Sequence, residues 1–134
     1  MGLDAEVTYT IQKNVKTWVG GHVYSYSLDS LKQPYHKPLS EFEIGLSFVL
    51  KEKLTIETEL FGSGKRYAQN NANFISTDVE LDPYIDLNLS LNYQLTDQFA
   101  IWLSGTNLLN NTYQRFYQYP VQGWQVMGGI TYKF

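Results

Sequence analysis

The sequence predicts an all-β chain, an antiparallel up-and-down meander of about seven strands that forms part of a transmembrane outer-membrane β-barrel. Three observations predict it. Segment after segment alternates apolar and polar residues at period two, which a helix would not produce. The connections between these segments are short and long in strict alternation, as periplasmic turns and extracellular loops on opposite rims would be. Finally, residues 124–134 place Trp124, Val126, Gly128, Ile130, Tyr132 and Phe134 on one side and Gln125, Met127, Gly129, Thr131 and Lys133 on the other, which suits a strand between lipid and a polar lumen.

The first strand, about 3–12, sets Leu3, Ala5, Val7, Tyr9 and Ile11 against Asp4, Glu6, Thr8 and Thr10. A tight turn at Lys13-Asn14 leads into the second, about 15–28, where the pair Gly20-Gly21 suggests a bulge or close packing. Pro34 and Pro38 mark a long loop over 29–40. The third strand, 41–50, alternates Phe42, Ile44, Leu46, Phe48 and Leu50 with Glu41, Glu43, Gly45, Ser47 and Val49. Only 51–53 separate it from the fourth, 54–62, with Leu54, Ile56, Thr58 and Leu60 against Thr55, Glu57 and Glu59. A second long loop covers 63–84. The fifth strand, 85–95, sets Ile85, Leu87, Leu89, Leu91, Tyr93 and Leu95 against Asp86, Asn88, Ser90, Asn92 and Gln94. After the turn 96–98 the sixth, 99–107, leaves its faces open, because Phe99, Ile101 and Leu103 compete with Trp102. The third long loop, 108–123, leads to the closing strand 124–134. Strands of this length cross a bilayer when tilted.

Composition narrows the function classes. The 134 residues form one unit; they include 11 Tyr, 7 Phe and 3 Trp, yet the mean hydropathy is only -0.30, as strands half in lipid and half in water require. No apolar run is long enough for a membrane-spanning helix. The chain has no cysteine, which excludes disulfides and thiolate metal sites, and its net charge of -3 offers no footprint for nucleic acid. After Met1-Gly2 it enters strand at once, without a signal-peptide pattern, and reads as mature or excised. Seven strands rather than an even number argue that at least one more lies upstream, so the open edges should meet the remaining barrel strands or another chain.

The run Asp82-Pro-Tyr-Ile-Asp-Leu-Asn-Leu-Ser-Leu-Asn-Tyr93, the segment Thr106-Asn-Leu-Leu-Asn-Asn-Thr-Tyr113, the loop end Tyr119-Pro-Val-Gln-Gly123 and the final Gly129-Ile-Thr-Tyr-Lys-Phe134 resemble the C-terminal end of a TonB-dependent outer-membrane receptor. Pro34-Tyr-His-Lys-Pro38 and Gly64-Lys-Arg-Tyr67 are looser matches, and Asn107 to Phe134 is the distinctive part. The resemblance implies a Gram-negative cell outer membrane, a parent barrel of about twenty-two strands, and a plug that engages an energy-coupling protein. This chain carries no plug. The parent would take up a scarce nutrient such as an iron chelate, cobalamin or a glycan, with the present segment in a structural role. By the same resemblance Phe134, with Tyr132 and Ile130, is an assembly signal read by the insertion machinery.

Residues that could carry chemistry have plainer readings, and the sequence predicts neither an enzyme nor a cofactor. Glu41, Glu43, Glu57 and Glu59 could form an acid–base or metal group, but they share the phase opposite the apolar residues, where a wet lumen explains them. His22 and His36 lack ligand spacing, Ser63-Gly64-Lys65 lacks the spacing of a phosphate loop, and Asn110-Asn111-Thr112 is a chance sequon. Lys65, Arg66 and Tyr67, and the cluster Tyr113, Arg115, Phe116, Tyr117 and Tyr119, fall in expected extracellular loops. They suit an aromatic girdle at the membrane interface, or contact with glycans, iron chelates or protein segments. Two alternatives accompany the receptor reading: a small eight-stranded outer-membrane barrel with an adhesion or structural role, and a soluble β-barrel that holds a lipophilic ligand against inward-facing apolar residues.

Overall fold

A computed structural model gives the structure of the chain over residues 1–29, 32–72 and 75–134. Residues 30–31 and 73–74, parts of the expected loops 29–40 and 63–84, lie outside the described residues. The strands are β1 (Gly2–Gln12), β2 (Val15–Tyr24), β3 (Ser40–Leu50), β4 (Leu54–Ser63), β5 (Arg66–Ala72), β6 (Ile75–Leu81), β7 (Tyr84–Gln94), β8 (Phe99–Thr106), β9 (Gln114–Phe116), β10 (Tyr119–Pro120) and β11 (Gln125–Tyr132). Seven of them form one antiparallel sheet in the order β1-β2-β3-β4-β7-β8-β11, with β1 and β11 at its edges. Where the sequence suggests a long loop over 63–84, the chain instead forms the separate hairpin β5–β6, with Arg66 opposite Leu81. Ile75, Thr77, Val79 and Leu81 do alternate with Ser76, Asp78 and Glu80, but the partner segment Arg66–Ala72 carries no such pattern, so the hairpin shows only half of its signal.

Register fixes the two faces of the sheet. One row runs Val7–Val19–Ile44–Leu60–Leu87 across five strands, and the next Tyr9–Thr17–Leu46–Thr58–Leu89–Gly105–Val126. Between them lie rows such as Thr8–Trp18–Gly45–Glu59–Asn88. Because side chains alternate across a strand, these rows define one continuous apolar face and one polar face. The apolar face is open: Leu3, Val7, Val23, Ile44, Ile101, Val126 and Ile130 are all exposed. In water such a surface would be an association site; in hydrocarbon it is the solvated face. The polar face is the hollow side, with grooves lined by Glu57, Asn88, Ser90 and Ser104 and by Glu41, Glu43, Glu59 and Arg115.

Large aromatics fill the sheet by lying over glycines of neighbouring strands. A Cβ at Gly45 would come within 1.9 Å of the Trp18 indole, one at Gly129 within 2.6 Å of Trp102, and one at Gly62 within 2.3 Å of the Phe42 ring. Trp102 pairs with Asn92 and Gly129, so it belongs to the polar face, and the ambiguity of its strand is resolved. Gly20-Gly21 makes no bulge: register runs unbroken through Glu6–Gly20–Glu43 and Ala5–Gly21–Phe42, and close approach of the Glu43 side chain, 2.9 Å from a Cβ at Gly20, accounts for the first glycine. The register shift of this hairpin lies instead between Thr10 and Gln12.

The turns between β1 and β2, β3 and β4, and β7 and β8 share one rim, and the three longer connections share the other. Lys51 and Glu52 both adopt positive φ, at 50° and 57°, and the Lys53 N–H donates to the Leu50 carbonyl at 3.1 Å. That is the twist-matched geometry of a type I′ hairpin turn, formed without glycine.

Candidate functional site

Several polar side chains are buried at the long-loop rim, beside the apolar Ala68 and Leu81. Arg66, Asp86 and Asn107 are 4, 2 and 6% exposed, and Tyr113 is 8% exposed. Burial of such groups is stable only if each finds hydrogen-bond partners. Asp86, at the rim end of β7, accepts from the Tyr113 hydroxyl at 2.9 Å and from the Leu87 N–H at 2.7 Å. Tyr113 stacks on Tyr84 with centroids 3.8 Å apart and planes 8° from parallel. Over Tyr84 sits the Arg66 guanidinium, 4.8 Å from the ring centroid, donating to the carbonyls of Asp82 at 3.3 Å and Gln114 at 3.1 Å. Burial first, and then the Asp86 carboxylate, push the Tyr113 hydroxyl up to about 12, with Arg115 acting against them.

Asn107 closes the base of the last loop. Its left-handed φ of 51° turns the chain out of β8; its amide donates to the carbonyls of Asn111 at 3.1 Å and Gln122 at 2.8 Å, and its oxygen accepts from the Asn111 N–H at 3.0 Å. Asparagine tolerates this conformation better than other side-chain-bearing residues. Asn111 in turn donates to the Ile85 carbonyl at 2.7 Å, which ties the loop to β7.

The other loops join the same assembly. The His36 N–H donates to the Tyr67 carbonyl at 2.6 Å, the Tyr35 hydroxyl to Asp78 at 2.7 Å, and the His36 ring lies 5.5 Å from that of Phe116. Asn70 donates to the Tyr117 hydroxyl at 3.4 Å. Segments remote in sequence are thus bound into one rim.

The expected contact residues separate within it. Arg66 is enclosed, contrary to a role as an exposed loop contact, because both its charge and its planar face are used to join β5 to the Tyr84 ring and the last loop. Lys65 is ion-paired with Glu80 at 2.6 Å, and that ammonium holds the Glu80 carboxyl below its usual range. Tyr67 donates to the same carboxylate at 3.3 Å. Arg115 is exposed, lies against the Tyr113 and Tyr84 hydroxyls, and lines the grooves shared with His22, Glu41 and Glu43 and with Asn88 and Gln125. On the polar face His22 Nδ1 stands 2.8 Å from Asp4, and Glu59 accepts from Asn88 at 3.2 Å. Ile130 and Tyr132 stand exposed on the apolar face of β11, and the Tyr132 ring meets Phe134 edge-on at 5.3 Å. Asp86 and Asn107 carry the rim, yet neither stands out in sequence. Asp86 is one polar residue among five in an alternating strand, and Asn107 one of several asparagines.

No protein-family model matches the chain, and no curated protein does. Solved structures do. FpvA of Pseudomonas aeruginosa bound to heterologous pyoverdines matches with a TM-score of 0.85 and 20% identity, over 99% of this chain and 19% of that one. The complex of FpvAI with pyocin S2 gives a TM-score of 0.85 at 19% identity over the same shares. The ferric enterobactin receptor PfeA of P. aeruginosa, in complex with enterobactin, gives 0.81 at 14% identity, over 99% and 22%. The chain spans about a fifth of the length of these structures. It has, over nearly its whole length, the fold of a segment of the β-barrel of TonB-dependent outer-membrane receptors.

Proposed function

We propose that the chain is a wall segment of an outer-membrane receptor barrel in a Gram-negative bacterium, and that the complete receptor takes up a ferric chelate. The observation that carries this reading is the orientation of the sheet: an uninterrupted apolar face turned outward, and a hollow face bearing Glu41, Glu43, Glu57, Glu59 and Asn88. A soluble barrel with a lipophilic cargo needs the opposite arrangement. Of the nutrients that the sequence suggests, iron chelates are favoured because the structural likenesses are to pyoverdine and enterobactin receptors. Under this reading β1 and β11 pair with further strands of the barrel, since unpaired edges are costly in lipid.

Within the site Arg115 is the residue that contacts ligand: it is exposed to the grooves of the hollow face, whereas Arg66 is enclosed and Lys65 neutralised. Tyr67 and Tyr117 shape the rim around it through Glu80 and Asn70. Ile130, Tyr132 and Phe134 serve assembly by presenting an aromatic, lipid-facing strand end. Removing Phe134 should then lower insertion in cells more than refolding in detergent; equal losses would reduce its role to packing.

The test is uptake of radiolabelled ferric chelates by iron-starved cells of the source organism in which the coding region for this chain is deleted. Loss of uptake of one chelate class, restored by the intact gene and weakened by Arg115→Gln, is the expected result. Unchanged uptake of every chelate in the deletion strain contradicts the reading.

A further inference from the structure

The turn rim carries a positive charge that the rest of the chain does not. Lys13, Lys51, Lys53 and Lys133, four of the ten cationic side chains, stand there with only Glu52 and Asp97 of the thirteen acidic ones. A chain of net charge -3 thus keeps a balance of +2 at this end. Lys16, one pair further up β2, lies opposite Ser47 in the row of Glu57 on the hollow face and is not counted with them. All four rim lysines are exposed. Among the described residues none of them is ion-paired, the ion pairs being His22–Asp4 and Lys65–Glu80. The loop-rim cations are engaged by contrast: Lys65 by Glu80, Arg66 by the Tyr84 ring, and Lys37 by the Tyr26 ring, 5.7 Å from its centroid.

Backbone bonds set the four lysines along one arc. The Asn14 carbonyl accepts from the Val49 N–H at 2.8 Å, the Lys53 carbonyl from the Gln94 N–H at 2.7 Å, and the Gln98 carbonyl from the Lys133 N–H at 2.9 Å, so each turn is pinned to the next strand. The exposed apolar face ends at the same level, at Ile11, Leu50, Tyr93 and Tyr132. Lys13 lies two residues beyond Ile11, Lys51 follows Leu50, and Lys133 follows Tyr132. Two residues of extended chain are about 7 Å, within which a lysyl stem lies on apolar surface while its ammonium reaches the polar layer. That is the depth of headgroup phosphates, where a group of cations is drawn to an anionic leaflet over a Debye length of about 8–10 Å. An acidic protein in the periplasm would need charge set apart from hydrocarbon, and these lysines adjoin it.

We propose that the turn rim binds the phosphate headgroups of anionic phospholipids in the periplasmic leaflet, through Lys13, Lys51, Lys53 and Lys133. The inference rests on the membrane reading given above. The test reconstitutes the complete receptor in bilayers of equal phosphatidylglycerol and phosphatidylcholine, with a photo-crosslinking amino acid at Leu50 or, at the other end of the apolar face, at Ile85. Captured lipid is identified by mass spectrometry. The expected result is a ratio of phosphatidylglycerol to phosphatidylcholine at Leu50 at least about threefold above that at Ile85. Replacing the four lysines by glutamine, or raising the salt to about 1 M with the lysines intact, should bring the two ratios together. Equal ratios at low salt with the lysines in place overturn the proposal and leave the membrane reading intact, as does a preference at Leu50 that survives both treatments. No lipid captured at either position overturns both.

Discussion

The two rims of the sheet are built on different principles. On the turn rim each connection is local: Lys51 and Glu52 close a hairpin on their own, and Thr96 Oγ1 accepts from the Phe99 N–H at 3.1 Å to close another. On the loop rim many contacts join segments distant in sequence, since Asp86 meets Tyr113, Arg66 meets Gln114, and Tyr35 meets Asp78. The burial rule is also inverted across the molecule. Along the strands many apolar side chains are exposed, while the groups enclosed at the loop rim include the charged and polar Arg66, Asp86 and Asn107 beside Ala68 and Leu81. Order in the strands comes from pattern and backbone pairing, and order at the rim chiefly from side-chain hydrogen bonds, with only the Ser63 hydroxyl and Arg66 Nε left without a partner among the described buried side-chain atoms, so the two regions should respond to different insults.

The largest effect is expected on the apolar face. Leu89→Arg at mid-bilayer should cost about 2–4 kcal/mol in refolding into lipid vesicles, whereas Asn88→Arg, one residue along on the hollow face, should cost little. Equal costs would erase the distinction between the faces. Next comes the rim: Asp86→Ala strands the Tyr113 hydroxyl and the Leu87 N–H and should cost about 2–3 kcal/mol, compared with about 1 kcal/mol for Tyr113→Phe, which removes a single bond. Chemical denaturation of the complete barrel in detergent measures both. If Asp86→Ala loses no more than Tyr113→Phe, the rim is not held together by this carboxylate.

Alkaline pH separates rim from strands in a second way. Tyr113 has a raised folded-state pKa, about 12 against an ordinary value near 10, so its contribution is fully present below pH 10 and is lost as pH rises toward and through 12. The native barrel should lose more stability than Tyr113→Phe across that window. Parallel losses would show that the phenol ionises as freely in the folded state as in the unfolded one. The smallest effect belongs to the turn rim. Glu52→Gly relieves a left-handed conformation and should stabilise by under about 1 kcal/mol, without altering ligand binding.

The same contrast explains what could be read from sequence. Period-two alternation in 41–50, 54–62 and 85–95 exposes strand, face and register at once, because a slip of one residue would put Glu43, Glu57 and Asp86 into hydrocarbon. The face of Trp102 could not be read so, since its position is decided by Gly129 on the neighbouring strand, into which the indole packs. The hairpin β5–β6 escaped because only its second strand alternates: Ile75, Thr77, Val79 and Leu81 stand against Ser76, Asp78 and Glu80, whereas Arg66–Ala72 offers no apolar pattern to pair with it. Arg66 looked like a loop contact because nothing nearby in sequence announces its partners, Gln114 and Tyr84. Loop chemistry set by distant pairings leaves no local signature.

The central claim is that the outward face of the sheet is lipid-solvated while the opposite face is wet. The absence of cysteine from the chain allows single cysteines to be placed along β7 at Leu87, Asn88, Leu89, Ser90 and Leu91 in the complete barrel in native membranes. A membrane-impermeant maleimide applied after gentle opening of the lumen should label 88 and 90, while a lipid-borne nitroxide should broaden spin labels at 87, 89 and 91. That strict alternation, in that phase, is the predicted result. Uniform labelling along the strand, or the reverse phase, would contradict the account.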